Sequence, residues 1–436
     1  MNSDEILRLV DQIHLERKID RETVFVGVEQ ALVIAARKKS DGSDDSAVDV
    51  HIDRQTGEIN AYRDNVPLSP SEIAERIGAQ TAKQVIIQKI RDAERDMIYD
   101  EYYPLIGELV SGEVKRDDGS VTLVDLQNVE AILPRSEKIP RTDKFVREGR
   151  GRGFEKTPRE NFRVGSRIRA LVVEVKKVGA RVKVVLSRTR PLMVQRLFEQ
   201  EVPEIYEGVV EIKGVSREAG KRSKIAVTSS DPHIDLVGAC VGVRGARSRA
   251  VTEEINGERV DVVPWSPDVV EYIRNALKPA VVDEVILCST LGRAIVLVQP
   301  DQRSLAIGRG GQNVRLASRL CDWDVDVMTR DELDVLVEKA MQDFNQVEGV
   351  SSDLADMLVG EGFLSFDDLS IIETDYLMRL GGLTSEQAEA ISNRAEELAE
   401  EQERQEKEAR ANAREDDFAN EDAHRRFDSD STDENL

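Results

Sequence analysis

The chain has 436 residues and a formal net charge of −23, with 40% apolar and only 4% aromatic residues. That length exceeds one ordinary core and calls for about three to five domains, whose cores must be aliphatic and modest in size. No apolar run approaches the roughly 20 residues that span a bilayer, and the acidic, amphipathic start lacks the basic and apolar blocks of a signal peptide, so a cytoplasmic protein is expected.

Apolar residues at helical spacing, among them Ile6, Leu9, Val10 and Ile13, predict helices over 2–17 and 22–39. VDVHI (48–52) and EINAYR (58–63) read as short strands, and PLSPSE (67–72) as a turn. Residues 80–102 read as one long helix with Val85, Ile86, Ile90, Ala93 and Met97 on one face, and Pro104 follows its end. Residues 1–105 therefore form an α/β domain without catalytic content.

From Gly107 the period changes to two. GELVSGEVKR, VTLVDL, VEAILP, RIRALVVEVKK and RVKVVLSRT are five predicted strands that close near Arg190. Five short strands in 107–190 imply a small barrel, and the OB type is the common nucleic-acid-binding choice. The connection at 141–162 is Gly/Arg-rich and long, and it reads as either flexible filler or a phosphate-contacting arm, the arm being favoured.

Residues 192–330 hold an internal repeat. Each copy reads strand, strand, helix, Gly-x-x-Gly, helix, strand, with leading helices near 191–201 and 267–278. Gly242 and Gly308, which open the two Gly-x-x-Gly loops, are 66 positions apart. The closing strands VDVV (260–263) and VDVM (325–328) keep nearly the same offset. After Arg330, residues 331–398 read as short helices broken at glycines, in the manner of helix–hairpin–helix units. Residues 399–436 are charged and expected to be disordered, with an exposed helix over 396–411.

A Gly-x-x-Gly between two helices lets backbone approach a sugar–phosphate chain that a Cβ would block. The second helix then aims its free N–H groups at phosphate oxygens. The first loop is Gly242, Val243, Arg244 and Gly245, followed by Arg247 and Arg249. The second is Gly308, Arg309, Gly310 and Gly311, followed by Gln312, Asn313 and Arg315. The arginines supply charge, while Gln312 and Asn313 are candidates to bond base edges or phosphate. Val314, Ala317, Leu320 and Cys321 recur at helical spacing and are expected in the core.

Charge supports this placement. Residues 1–106 carry −7, 107–330 carry +6 and 331–436 carry −22. A basic centre between acidic ends suits a nucleic-acid reader with protein-facing flanks, and charge alone suits a solvated acidic tail beside an ordinary domain about equally. GRGGQN lacks the third glycine of the dinucleotide fingerprint, and no Walker-type loop, HExxH or Ser/His/Asp set occurs. Cys240, Cys288 and Cys321 show no CxxC spacing and read as buried thiols. The four histidines are scattered, so no metal site and no cofactor are expected.

GACVGVRGARSRAVTEEINGERVDVVPW and LAIGRGGQNVRLASRLCDWDVDVMT are similar to the paired KH modules of the NusA family of bacterial transcription termination and elongation factors. The helix IGAQTAKQVIIQKIRDAER (77–95) resembles that family's segment before its barrel. The resemblance covers about residues 1–398. It implies type II KH modules at 191–265 and 266–330, an S-one-type barrel at 107–190 and a polymerase-contacting head at 1–105. It also implies nascent single-stranded RNA running along barrel and KH modules, RNA polymerase core and other Nus-type antitermination factors as partners, and no enzymatic activity. A monomer is expected. The alternative reading is a ribosome-associated or RNA-chaperone KH protein.

Overall fold

A computed structural model describes residues 3–17, 20–38, 48–63, 66–67, 79–141, 159–179 and 181–430. The chain divides into two compact units, Met1–Ser223 with Ser229–Asp261, and Lys224–Thr228 with Val262–Leu436. The basic connection falls mostly outside the described residues, which stop at 141 and resume at 159.

The first unit opens with helices α1 (Ser3–Arg17) and α2 (Arg21–Lys38) against strands β1 (Val48–Ile52), β2 (Ile59–Arg63) and β3 (Val66–Pro67). Ile6, Val10 and Ile13 of α1 meet Val24, Phe25, Val28 and Leu32 of α2 over Val50 and Ile52, so the helical spacing in the sequence marks this core. Helix α3 (Ala79–Tyr102) has 24 residues and spans about 36 Å at 1.5 Å per residue. Ile90 and Ala93 pack on the head core, whereas Ile98, Tyr99 and Tyr102 pack on the barrel core. Met97 departs from the expected stripe and is 41% exposed. The helix changes partners there, so the apolar face turns from the one ending at Ala93 to the one holding Ile98 and Tyr102. The Tyr102 hydroxyl donates to the Leu126 carbonyl at 2.8 Å, which fixes the helix end on the barrel.

Strands β4 (Leu109–Asp117), β5 (Val121–Asp125), β6 (Glu130–Pro134), β7 (Arg167–Val178) and β8 (Arg181–Ser187) close a barrel in the order β4-β5-β6-β8-β7. The β6–β8 pair is parallel and the others are antiparallel. This is the five-stranded barrel expected from the period-two pattern. Gly112 sits where the wall is tightest: a Cβ there would come 2.5 Å from Val124 Cγ1.

Then follow α4 (Pro191–Glu201), the short α5 (Pro203–Tyr206), β9 (Val210–Glu218), β10 (Arg222–Ser229), α6 (Leu236–Val241), α7 (Ala246–Glu254) and β11 (Arg259–Pro264). The sheet order is β11-β10-β9, and the division between the two units runs through its residues. Within the first unit an ionic cluster ties α7 to the barrel. Arg188 donates to Glu160 at 2.9 Å, to the Glu254 carboxylate at 2.9 Å and to the Glu254 carbonyl at 2.6 Å, and Arg169 also reaches Glu254 at 2.9 Å.

The second unit repeats the arrangement with α8 (Val269–Leu277), β12 (Glu284–Cys288), β13 (Arg293–Leu297), α9 (Pro300–Ile307), α10 (Gln312–Cys321) and β14 (Asp324–Met328). Here β12–β13 is antiparallel and β13–β14 parallel, the type II KH arrangement. Alternation along β13 feeds two cores. Ala294 and Val296 face the helices with Ile273, Leu277, Ala306 and Ala317. Ile295 and Leu297 face the other way, towards Leu333 of α11 (Arg330–Phe344) and Leu364.

Helices α12 (Ser352–Gly360), α13 (Phe366–Ser370), α14 (Thr374–Gly381) and α15 (Ser385–Asp430) complete the second unit around Phe344, Leu354, Leu358, Phe363, Leu369 and Ile391. Helix α15 runs past 411, where the sequence reading ended its exposed helix. Residues 431–436 of the tail lie outside the described residues. Ala388, Ile391 and Ala395 seat the start of α15 on that core, and beyond it Lys407 and Glu403 pair across one turn as i,i+4 support.

Arg293 joins the KH sheet to these helices through two bonds to Asp368, at 2.9 and 2.7 Å. Burial pushes the Asp368 carboxyl up, but hydrogen bonds from Arg293 and the Leu364 N–H outweigh it and hold the group below the usual carboxylate range. A depressed folded value means the stabilisation is present above the unfolded pKa of about 4 and is lost as pH falls through the folded value. The Asp368→Asn variant should therefore lose less stability than the parent between pH 5 and pH 3, a difference readable by urea unfolding at each pH (about one carboxylate's worth of proton uptake).

Candidate nucleic-acid interface

The two Gly-x-x-Gly loops have the same backbone. Gly242 and Gly308 have φ/ψ of 72/175 and 72/173, and Gly245 and Gly311 have 75/20 and 72/14. The third position is left-handed in both, with φ 51 at Arg244 and 61 at Gly310. An arginine there carries strain of about 1–2 kcal/mol that glycine avoids. The first copy thus accepts a strained backbone and keeps a cation at the tip.

Each loop ends on a helix N-terminus. Gly245 and Gly311 cap α7 and α10 without any side-chain hydrogen bond, so the first-turn N–H groups have no side-chain acceptor there. The partial positive charge of those amides favours an anion. Around them Val243, Arg244, Arg309 and Gly310 are exposed, with Val243 at 85%. Arg249 and Arg315 are exposed too, and each donates back to its own loop, to the Arg244 carbonyl at 3.4 Å and the Gly310 carbonyl at 3.3 Å. Gln312 is partly exposed in the first turn of α10. Val314, Leu320 and Cys321 are partly buried and Ala317 fully buried in the helix-side core, as the spacing predicts.

Two residues read from the sequence as RNA contacts bond within their own modules. Asn313 is 1% exposed, and its amide donates to Leu277 O at 3.0 Å and Ala306 O at 3.1 Å. Its amide nitrogen is committed inside the module, and its Oδ1 is buried with no hydrogen-bond partner among the described residues. Arg247 occupies the equivalent place in the first copy and donates to Ala239 O at 2.5 Å and Glu204 Oε2 at 2.8 Å. Glu204 was not singled out from the sequence. It lies 43 positions before Arg247 in an unremarkable VPEIY stretch, and nothing in its spacing marks it.

The barrel contributes a different surface. The outward positions of β5 and β6 are Val121, Leu123, Asp125, Glu130, Ile132 and Pro134, none aromatic. Several barrel cations are already paired: Lys115 with Asp125, Arg116 with Asp118 and Lys177 with Asp96. Arg181 and Lys183 are exposed on β8.

Burial pushes the Cys240 thiol up to about 11 and the Cys321 thiol up to about 12, so neither is a ready nucleophile. Cys240 and Cys288 are buried and Cys321 is partly buried. Among the described residues no group of three or more His, Cys, Asp or Glu is arranged to hold a metal ion. No described helix is long and apolar enough to cross a membrane.

Two type II modules with matched Gly-x-x-Gly loops, following a five-stranded barrel, define a KH-type RNA-binding protein. Residues 188–265 match the NusA-like first KH domain, 269–335 the NusA-like second KH domain, and 5–74 with 64–96 the NusA N-terminal domain. The transcription termination/antitermination protein NusA of Rickettsia conorii is 35% identical over 431 residues, which cover 90% of this chain and 81% of that protein. Its counterpart from Rickettsia prowazekii is 34% identical over 429 residues with the same coverage. The chain belongs to the NusA family.

Proposed function

We propose that this chain is a non-catalytic RNA-binding transcription termination/antitermination factor that works on RNA polymerase and its nascent transcript. The observation that carries the reading is the pair of matched, arginine-bearing Gly-x-x-Gly loops in a chain similar to the Rickettsia proteins over 90% of its length. The RNA-facing set is Gly242, Val243, Arg244, Gly245 and Arg249 in the first module. In the second it is Gly308, Arg309, Gly310, Gly311, Gln312 and Arg315. The head, with its own core of α1, α2 and a three-stranded sheet, is the polymerase-docking element. The factor acts in the cytoplasm as a monomer, alongside other Nus-type factors.

Pulldown with core RNA polymerase tests the docking. Deletion should stop at residue 78, because Ile98, Tyr99 and Tyr102 of α3 belong to the barrel packing. The chain lacking 1–78 should lose polymerase retention and keep its RNA affinity. Equal retention by both chains would overturn the docking role. RNA binding should also weaken with salt, by a slope of about −0.7 per phosphate contact on a single strand.

A further inference from the structure

We infer that Arg247 is a positioning residue that holds the first Gly-x-x-Gly loop from behind through an ion pair with Glu204, and that Asn313 does the same work in the second loop without charge. This rests on the loops being the RNA sites.

The two side chains occupy one structural position. Each lies five residues after the opening glycine, and each passes beneath it. A Cβ on Gly242 would come 2.8 Å from Arg247 Cγ, and one on Gly308 would come 2.8 Å from Asn313 Cβ. Each then binds a carbonyl near the end of the preceding helix. Arg247 takes Ala239 O, and Asn313 takes Ala306 O with a longer bond of 3.4 Å to Leu305 O, the position 66 residues on from Ala239. Each finally reaches the segment that leads into its module. Asn313 bonds Leu277 O at the end of α8, and Arg247 bonds the Glu204 carboxylate in α5 after α4. Three helical segments therefore meet at one side chain in both copies.

The chemistry differs. Asn313 is enclosed, and its neutral amide donates to carbonyls, which bulk salt leaves untouched. The Arg247 and Glu204 side chains are 30% and 34% exposed. A pair so exposed is screened as the Debye length falls from about 10 Å at 0.1 M salt to about 3 Å at 1 M. The first loop should loosen as salt rises while the second keeps its shape. Salt then weakens the first module twice over, through phosphate contacts and through the loop itself.

Hydrogen exchange on the full-length chain, with and without an unstructured single-stranded RNA, tests this. The Gly242 and Gly245 amides are bonded, to Gly238 O at 2.8 Å and Gly242 O at 3.0 Å, so opening is measurable. Glu204→Gln should speed exchange over 242–245 several-fold at low salt, leave 308–311 unchanged and remove most of the salt dependence of exchange in the first loop. RNA affinity, measured in the Gly311→Asp background to isolate the first module, should fall about threefold at low salt and converge with the parent's as salt rises, because the variant has already lost the salt-sensitive brace. Arg249→Gln should lower the slope by about 0.7 without altering exchange.

Arg247→Gln decides the assignment. Faster loop exchange at low salt supports it; a slope reduced by about 0.7 with unchanged exchange makes Arg247 an RNA contact and overturns it. The exchange arm needs no RNA. A chain that bound no RNA would sink the functional reading, while the positioning role would still be decided by exchange.

Discussion

Gly311→Asp should weaken binding of single-stranded RNA about tenfold, or about 1.4 kcal/mol, while the chain stays folded. Gly311 is the N-cap of α10 at φ +72, and a Cβ there would meet nothing closer than Arg315 Nη1 at 3.7 Å. Space is therefore available and only the dihedral is strained, by about 1–2 kcal/mol for an ordinary residue and less for aspartate. The carboxylate stands beside the amides a phosphate would use and repels the incoming anion, an interaction of about 1 kcal/mol at 4 Å in water. Gly308→Ala makes the contrast. Its Cβ would come 2.8 Å from Asn313 Cβ and 2.9 Å from Asn313 N, so the loop backbone must move and stability falls with affinity. Fluorescence anisotropy with an unstructured RNA, alongside circular dichroism, separates the two variants. Unchanged affinity for a folded Gly311→Asp chain would remove residues 308–311 from the RNA site.

How much of this was legible in the sequence follows from range. The strands of the barrel, the two KH repeats and the helices of the head rest on periods of two and 3.6, which neighbouring residues carry by themselves. The loops were legible because glycine at a left-handed position is a local requirement, met at Gly242, Gly245, Gly308 and Gly311. The roles of polar residues were not. Asn313 follows a Gly-x-x-Gly in a run of polar side chains, and only the fold shows that three carbonyls surround it. Arg247 needed Glu204, and the exposure of Met97 needed the handover of α3 from head to barrel. Each depends on a partner tens of residues away, which spacing along one element cannot report.

The same distinction between exposed and enclosed charge sets the second large effect. Glu258→Ala should destabilise the first unit by about 3–5 kcal/mol, because it strands a buried guanidinium. Glu258 and Arg217 side chains are both 0% exposed. The carboxylate accepts from Arg217 Nε at 3.0 Å and Nη2 at 2.9 Å, from the Gly220 N–H at 2.9 Å and from the Ser223 hydroxyl. Arg217 spends its remaining terminal nitrogen on Arg190 O at 2.8 Å. One carboxylate thus fastens β9, the turn at Gly220 and the start of β10 to the segment that leaves α7. Without it Arg217 keeps its charge, since a guanidinium does not deprotonate in a protein, and either water enters or the turn opens. Replacing both partners, as Arg217→Met with Glu258→Leu, should recover much of the loss, because no unpaired charge remains. Removing an exposed cation sets the scale: Lys115→Ala, whose partner Asp125 is also open to solvent, should cost under about 1 kcal/mol. Urea unfolding measures all three. A loss under about 1 kcal/mol for Glu258→Ala would mean the pair is solvated in solution.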